Sequence, residues 1–125
     1  MKHRGQRGIL TSKIKDAMFN VFKKDLPQIS TNSSSSDIAR WKRNPSLRRC
    51  RENLYRTLDD NDSITYIMSI VERVFVKEAT DTQIAYTISV CEYLLDPENE
   101  SIQVTESTVR DKFEEVLVSF AILRR

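Results

Sequence analysis

The chain has 125 residues, 39% of them hydrophobic and 30% charged, with 20 Lys or Arg against 18 Asp or Glu and a formal net charge of +2. That length removes roughly two-thirds of the unfolded surface from water in one domain, and the composition excludes a disordered chain. No run approaches the roughly 18 apolar residues of a membrane span, and the opening MKHRGQRG lacks the apolar stretch of a secretory signal. A soluble intracellular protein of cytoplasm or nucleus is therefore expected, neither secreted nor membrane-spanning.

Residues 1–11 carry Lys2, Arg4 and Arg7 among both of the chain's glycines, Gly5 and Gly8, and read as a basic flexible arm. Beyond Gly8 no position has glycine's freedom at positive φ, which argues against tight hairpins and phosphate-cradling loops and for helices joined by polar connectors. The first helix is expected over Ser12–Asp25, with Ile14, Met18, Val21 and Phe22 on one stripe and Thr11 or Ser12 as cap. STNSSSSD, residues 30–37, follows. Its short polar side chains compete for backbone hydrogen bonds and bury little, so it reads as a mobile linker.

The next stretch, DIARWKRNPSLRRCRENLYR, puts seven Lys or Arg into residues 37–56. Asp37–Arg43 reads as a short helix capped by Ser36, and Asn44-Pro45 has the order of an N-cap and first-turn proline for a second helix. At 100° per residue Leu47, Cys50, Leu54 and Leu58 share a narrow stripe, while Arg48, Arg49, Arg51, Glu52, Tyr55 and Arg56 fill the opposite arc.

From Ser63, taken as a cap, Ile64, Ile67, Met68, Val71, Val74 and Phe75 recur at helical spacing. The β-branched residues there make a strand the alternative. After Thr80-Asp81, QIAYTISVCEYLL carries one apolar stripe of Ile84, Ile88, Cys91 and Leu95 and a second of Tyr86, Val90 and Tyr93, the pattern of a central helix. The acidic PENES reads as a loop, and the alternating SIQVTES as loop or short strand. Last comes the cleanest amphipathic segment, with Val109, Phe113, Val116, Leu117, Phe120 and Leu123 in register and Arg124 and Arg125 where positive charge suits a helix C-terminus. Together these elements predict an all-α fold, a single-domain bundle of about five helices over residues 12–125.

Charge is divided unevenly. Residues 1–56 hold 14 Lys or Arg and 4 Asp or Glu, a net of +10, and residues 57–125 hold 6 and 14, a net of −8. Such asymmetry points to an anionic partner on the basic side, or to halves that neutralise each other on folding.

The chemistry-bearing candidates are sparse. Cys50 and Cys91 are too few and too far apart for a disulfide framework or metal knuckle, and each falls on an apolar stripe. DDNDS, residues 59–63, resembles the start of a calcium loop but has no glycine at the sixth place and Ile70 at the twelfth; it reads as a helix stop before the Ser63 cap. Asp96 with Glu98 and Glu114 with Glu115 sit in polar contexts without the burial that tunes an acid–base pair. The glycosylation-like triplets at Asn32, Asn61 and Asn99 lack a secretory context. Ser46 follows an arginine at i−3 and Ser34 precedes an aspartate at i+3, two short kinase-like contexts whose phosphates would oppose the basic face.

The single histidine, His3, and the missing clusters leave no catalytic machinery, and no cofactor or metal is expected. A non-catalytic binding protein with a regulatory or packaging-type role remains, its contact surface Arg40, Trp41, Lys42, Arg43, Arg48, Arg49, Arg51, Tyr55 and Arg56. Its expected partner is RNA or DNA, with Trp41 or Tyr55 stacking on bases and a salt slope of roughly −4 if about five phosphates are neutralised. Taken alone, Trp41 reads more readily as a core anchor beside Ile38, at i and i+3. The alternative class is a protein adaptor or self-associating module, homo-oligomers included, whose basic half meets an acidic protein segment and whose motive is spare apolar surface on residues 80–95. A membrane-surface role ranks below both, because no wide apolar band flanks the basic face.

Overall fold

The computed structural model describes residues 2–29, 32–99 and 101–123, with side chains from Ile9 onward. Among the described residues it is mostly helical, with six helices and one two-stranded antiparallel hairpin: α1 (Lys2–Val21), α2 (Ser35–Lys42), α3 (Pro45–Asn53), β1 (Thr57–Leu58), β2 (Asn61–Thr65), α4 (Tyr66–Val74), α5 (Asp81–Leu95) and α6 (Glu106–Leu123).

Helix α1 begins at Lys2, well before its apolar stripe, so the segment expected to be a flexible arm is helical backbone from Lys2 onward. The stripe marks where the helix is buried rather than where it starts: Ile14, Met18, Phe19 and Phe22 all lie in the core. Helix α2 starts inside the serine run, whose members Ser30 and Thr31 lie outside the described residues. Its cap is Ser34, two residues earlier than expected, with the Oγ accepting from the Asp37 amide at 3.1 Å. Asn44 and Pro45 open α3 as their order predicts, and the Asn44 Oδ1 accepts from the Ser46 amide at 2.9 Å.

The hairpin corrects the reading of DDNDS. Asp59 and Asp60 connect β1 to β2, Leu58 facing Asn61 and Thr57 facing Thr65, with the register slipping between Thr57 and Leu58. No described residue adopts a positive φ, so this connection avoids the mirror-image turns that favour glycine. The irregular register accompanies it. Asn61 Oδ1 accepts from the Ser63 amide at 3.1 Å and from the Ser63 hydroxyl at 2.6 Å, placing Ser63 within β2. The cap of α4 is Thr65, which accepts from the Met68 amide at 3.2 Å. The helix-or-strand ambiguity thus resolves as both, strand through Thr65 and helix from Tyr66. Amides of Tyr66 and Ile67 donate to the carbonyls of Arg56 and Leu54, tying α4 to the end of α3.

Helix α5 opens with a reciprocal capping box between Thr80 and Gln83 and packs against α1, α3, α4 and α6. Ala85, Ile88, Val90, Cys91, Leu94 and Leu95 are buried. The buried hydroxyls of Thr87 and Ser89 donate back to the carbonyls of Gln83 and Tyr86 at 2.8 Å each. One side of the helix lies in the core, while Ile84, Tyr86 and Tyr93 are half-buried, so the apolar surface assigned to residues 80–95 is partly covered in the fold.

Residues 101–105 alternate as read, Ile102 buried between exposed Ser101 and Gln103, yet no strand pairs with them among the described residues. Helix α6 lies along α5: Val109 is buried, and Phe113 meets Tyr86 edge-to-face with centroids 6.1 Å apart. The stripe stays against the core through the half-buried Val116, Leu117 and Phe120, and only its last member, Leu123, is 80% exposed; Val118 and Ile122, on the opposite face, are 57% and 59% exposed. Arg124 and Arg125 lie outside the described residues.

Candidate nucleic-acid interface

The α2–α3 corner separates the nine sequence-derived contact residues into three groups. Trp41 and Lys42 point inward. The Trp41 ring is 5% exposed, lies 5.8 Å from the Phe19 ring, and donates from Nε1 to the Pro27 carbonyl at 2.7 Å. It anchors α2 against the end of α1 and offers no face to a base.

Lys42, 3% exposed, reaches the C-terminus of α5, where its Nζ donates to the carbonyls of Tyr93 at 3.3 Å, Leu94 at 2.9 Å and Asp96 at 3.2 Å. An ammonium has three protons and no acceptor, so three carbonyls at the negative end of a helix satisfy it completely. The Tyr93 ring lies 5.7 Å from the same nitrogen. Burial lowers the amine to about 8, with Asp96 pulling the other way, so the group is still largely protonated at neutral pH. Lys42 is a helix-end cap built from a neighbouring element, and the basic face loses it.

Arg51 and Tyr55 turn toward α5. The Arg51 guanidinium sits 3.6 Å from Glu92 and 3.7 Å from Asp96, and Lys112 of α6 reaches Glu92 at 3.5 Å. The Tyr55 hydroxyl donates to the same Glu92 carboxylate. Burial, then the hydrogen bond to and the charge of Glu92, push its phenol well above the usual range. Glu92 thus ties α3, α5 and α6 together, a role that sequence spacing conceals because its partners lie 20 to 41 positions away. Here the basic and acidic halves do neutralise each other, locally.

Five arginines face outward: Arg40, Arg43, Arg48, Arg49 and Arg56 are exposed. Helical geometry explains the division. Leu47, Cys50 and Leu54 point into the core, Arg51 and Tyr55 flank that stripe on the α5 side, and Arg48, Arg49, Glu52 and Arg56 fall in the outer arc. Arg40 makes an exposed pair with Asp37 at 3.7 Å, and Arg49 donates to the Ser46 hydroxyl at 3.2 Å. Among the described residues Arg43, Arg48 and Arg56 have no ion pair, and Glu52 is the one carboxylate in their arc. The side chains of Lys2, Arg4 and Arg7 lie outside the described residues.

The remaining chemical groups are occupied by packing. Cys50 and Cys91 are buried free thiols, and burial raises both, Cys50 to about 11 with Asp25 adding to the effect. Among the described residues no cluster of His, Cys, Asp or Glu is placed to hold a metal ion, and no helix is long and apolar enough to cross a membrane. An apolar groove of about 350 Å³ runs between Leu10, Tyr86, Val109 and Phe113. The groove is assembled from three helices and leaves no signal in periodicity, whereas Val118 and Ile122 fall opposite the α6 stripe and their exposure follows from it. No protein family, curated protein or solved structure matches this chain.

Proposed function

We propose that this chain is a non-catalytic protein that engages nucleic-acid phosphates through the outer arginines of the α2–α3 corner. The observation that carries the proposal is the sorting of charge: folding consumes Lys42 and Arg51 internally yet leaves Arg43, Arg48 and Arg56 without an acidic partner among the described residues. Guanidinium groups held on a short helical corner present the planar donors that phosphate oxygens accept. Arg48→Gln and Arg49→Gln test it. Each should weaken binding to every nucleic-acid sequence alike and reduce the salt slope by about 1, while unfolding free energy changes by less than about 0.5 kcal/mol. Affinity that is unchanged by both substitutions would exclude this face.

The exposed apolar end of α6 favours a second reading, association with another protein. Val118, Ile122 and Leu123 form an apolar turn with no covering element among the described residues. Sedimentation velocity across micromolar concentrations decides whether that partner is a second copy: Ile122→Asp should abolish any concentration-dependent species, and a wild-type chain monomeric throughout would leave only a different protein as partner.

A further inference from the structure

We infer that the nucleic acid bound at the arginine corner is a duplex gripped by its phosphate backbone, rather than a single strand held by its bases; this rests on the phosphate-binding reading above. Sites for single strands combine a basic groove with aromatic rings on which successive bases stack. The chain contains ten aromatic residues, one Trp, four Tyr and five Phe, and nine of them are buried or half-buried. Trp41, the ring best placed by sequence, is sealed between Phe19 and the Pro27 carbonyl. Phe22 is stacked on Tyr66, and Phe113 meets the edge of Tyr86.

Tyr55 is the exception, 52% exposed. Its hydroxyl is tied to Glu92 of α5, the carboxylate that Arg51 and Lys112 also reach. One ring anchored beside a carboxylate makes no platform for successive bases. What the outer corner does present is cationic: five arginines against two carboxylates, Asp37 paired with Arg40 and Glu52 in the α3 arc. A surface of this kind gains in proportion to the charge density it meets. A duplex carries one phosphate charge per roughly 1.7 Å of axis against roughly 3.4 Å for one strand, so the duplex is the better ligand. The contacts carry no base information, so affinity should be nearly independent of sequence.

The test is fluorescence anisotropy of the full chain against labelled 20-base-pair duplex DNA, 20-base-pair duplex RNA and the corresponding single strands, at a salt concentration of about 50 mM where phosphate contacts are strong. Duplexes should bind at least about tenfold more tightly than either of their strands, with two unrelated duplex sequences agreeing within about threefold. The DNA and RNA arms rank the two backbones. Single strands that bind as tightly as duplexes would overturn the inference and leave the phosphate reading standing. Absence of binding to all forms would remove the phosphate reading itself, and the two failures are thereby distinguished.

Discussion

Trp41→Ala should lower the free energy of unfolding by about 4 kcal/mol, measured by urea denaturation with an unchanged m-value. The ring is almost fully buried against Phe19, and its Nε1–H bond to Pro27 joins α2 to the segment that follows α1. Truncation leaves a cavity of indole size and a bond unmade, at a site where the backbone cannot collapse without moving α2. Trp41→Phe should cost about 1–2 kcal/mol, because a ring still fills most of the space while the hydrogen bond is lost. A domain of this size is stable by only about 5–15 kcal/mol, so the alanine variant should lose a quarter or more of it. If Trp41 instead served as a stacking platform, its removal would weaken nucleic-acid binding and leave stability within about 0.5 kcal/mol. That outcome would contradict the packing described for α2.

The second large effect is at Lys42, where a charge and a hydrocarbon stem do separate jobs. Lys42→Ala removes both and should cost about 3 kcal/mol; Lys42→Met keeps most of the stem and should cost about 1 kcal/mol. The difference isolates burial of the methylenes. What Lys42→Met loses is the donor to α5. The Tyr93 carbonyl retains the Asp96 amide and Asn99 side chain, and the Asp96 carbonyl retains the Asn99 amide, but the Leu94 carbonyl has no second donor among the described residues. The loss is partly offset because an ammonium no longer has to be desolvated. The pH dependence carries a definite sign. The folded amine titrates near 8 against 10.5 in the unfolded chain. Between those values unfolding takes up a proton, so the wild type should gain stability relative to Lys42→Met as pH rises from about 8 to 10.5. A gap that moves the other way over that window would show that the amine's proton is held more tightly in the fold than in water.

The sequence reveals helices wherever burial imposes a 3.6-residue period, and it conceals the boundaries that burial does not control. Ile14 and Met18 mark the part of α1 that meets the core, with Phe22 in the turn just after it, whereas the first turns carry no apolar stripe and read as an arm. Ser34 and Thr65 cap their helices two residues from the expected serines because several equivalent hydroxyls compete within SSSSD and DSIT, and tertiary context selects one. The Asp59–Asp60 hairpin leaves no signal of its own, because the absence of glycine excludes only the turns that need positive φ.

The arginine-rich corner is legible as a charged helix face from periodicity alone, but its division is not. Whether an arginine is consumed internally depends on what packs beside it. Arg51 and Arg48 are indistinguishable in composition, and only the arrival of Glu92 and Asp96 from α5 separates them. Lys42 looks like its neighbours Arg40 and Arg43 for the same reason, since the carbonyls that hold it come from residues more than fifty positions away.

The central claim is that the outer arginines bind phosphates, and the salt dependence of binding by the intact chain tests it most directly. A labelled duplex titrated at several salt concentrations between about 50 and 200 mM should give log affinity falling against log salt with a slope of roughly −4.5, as expected if Arg40, Arg43, Arg48, Arg49 and Arg56 each displace one counterion. Binding that is flat across this range, or absent at its low end, would contradict the account.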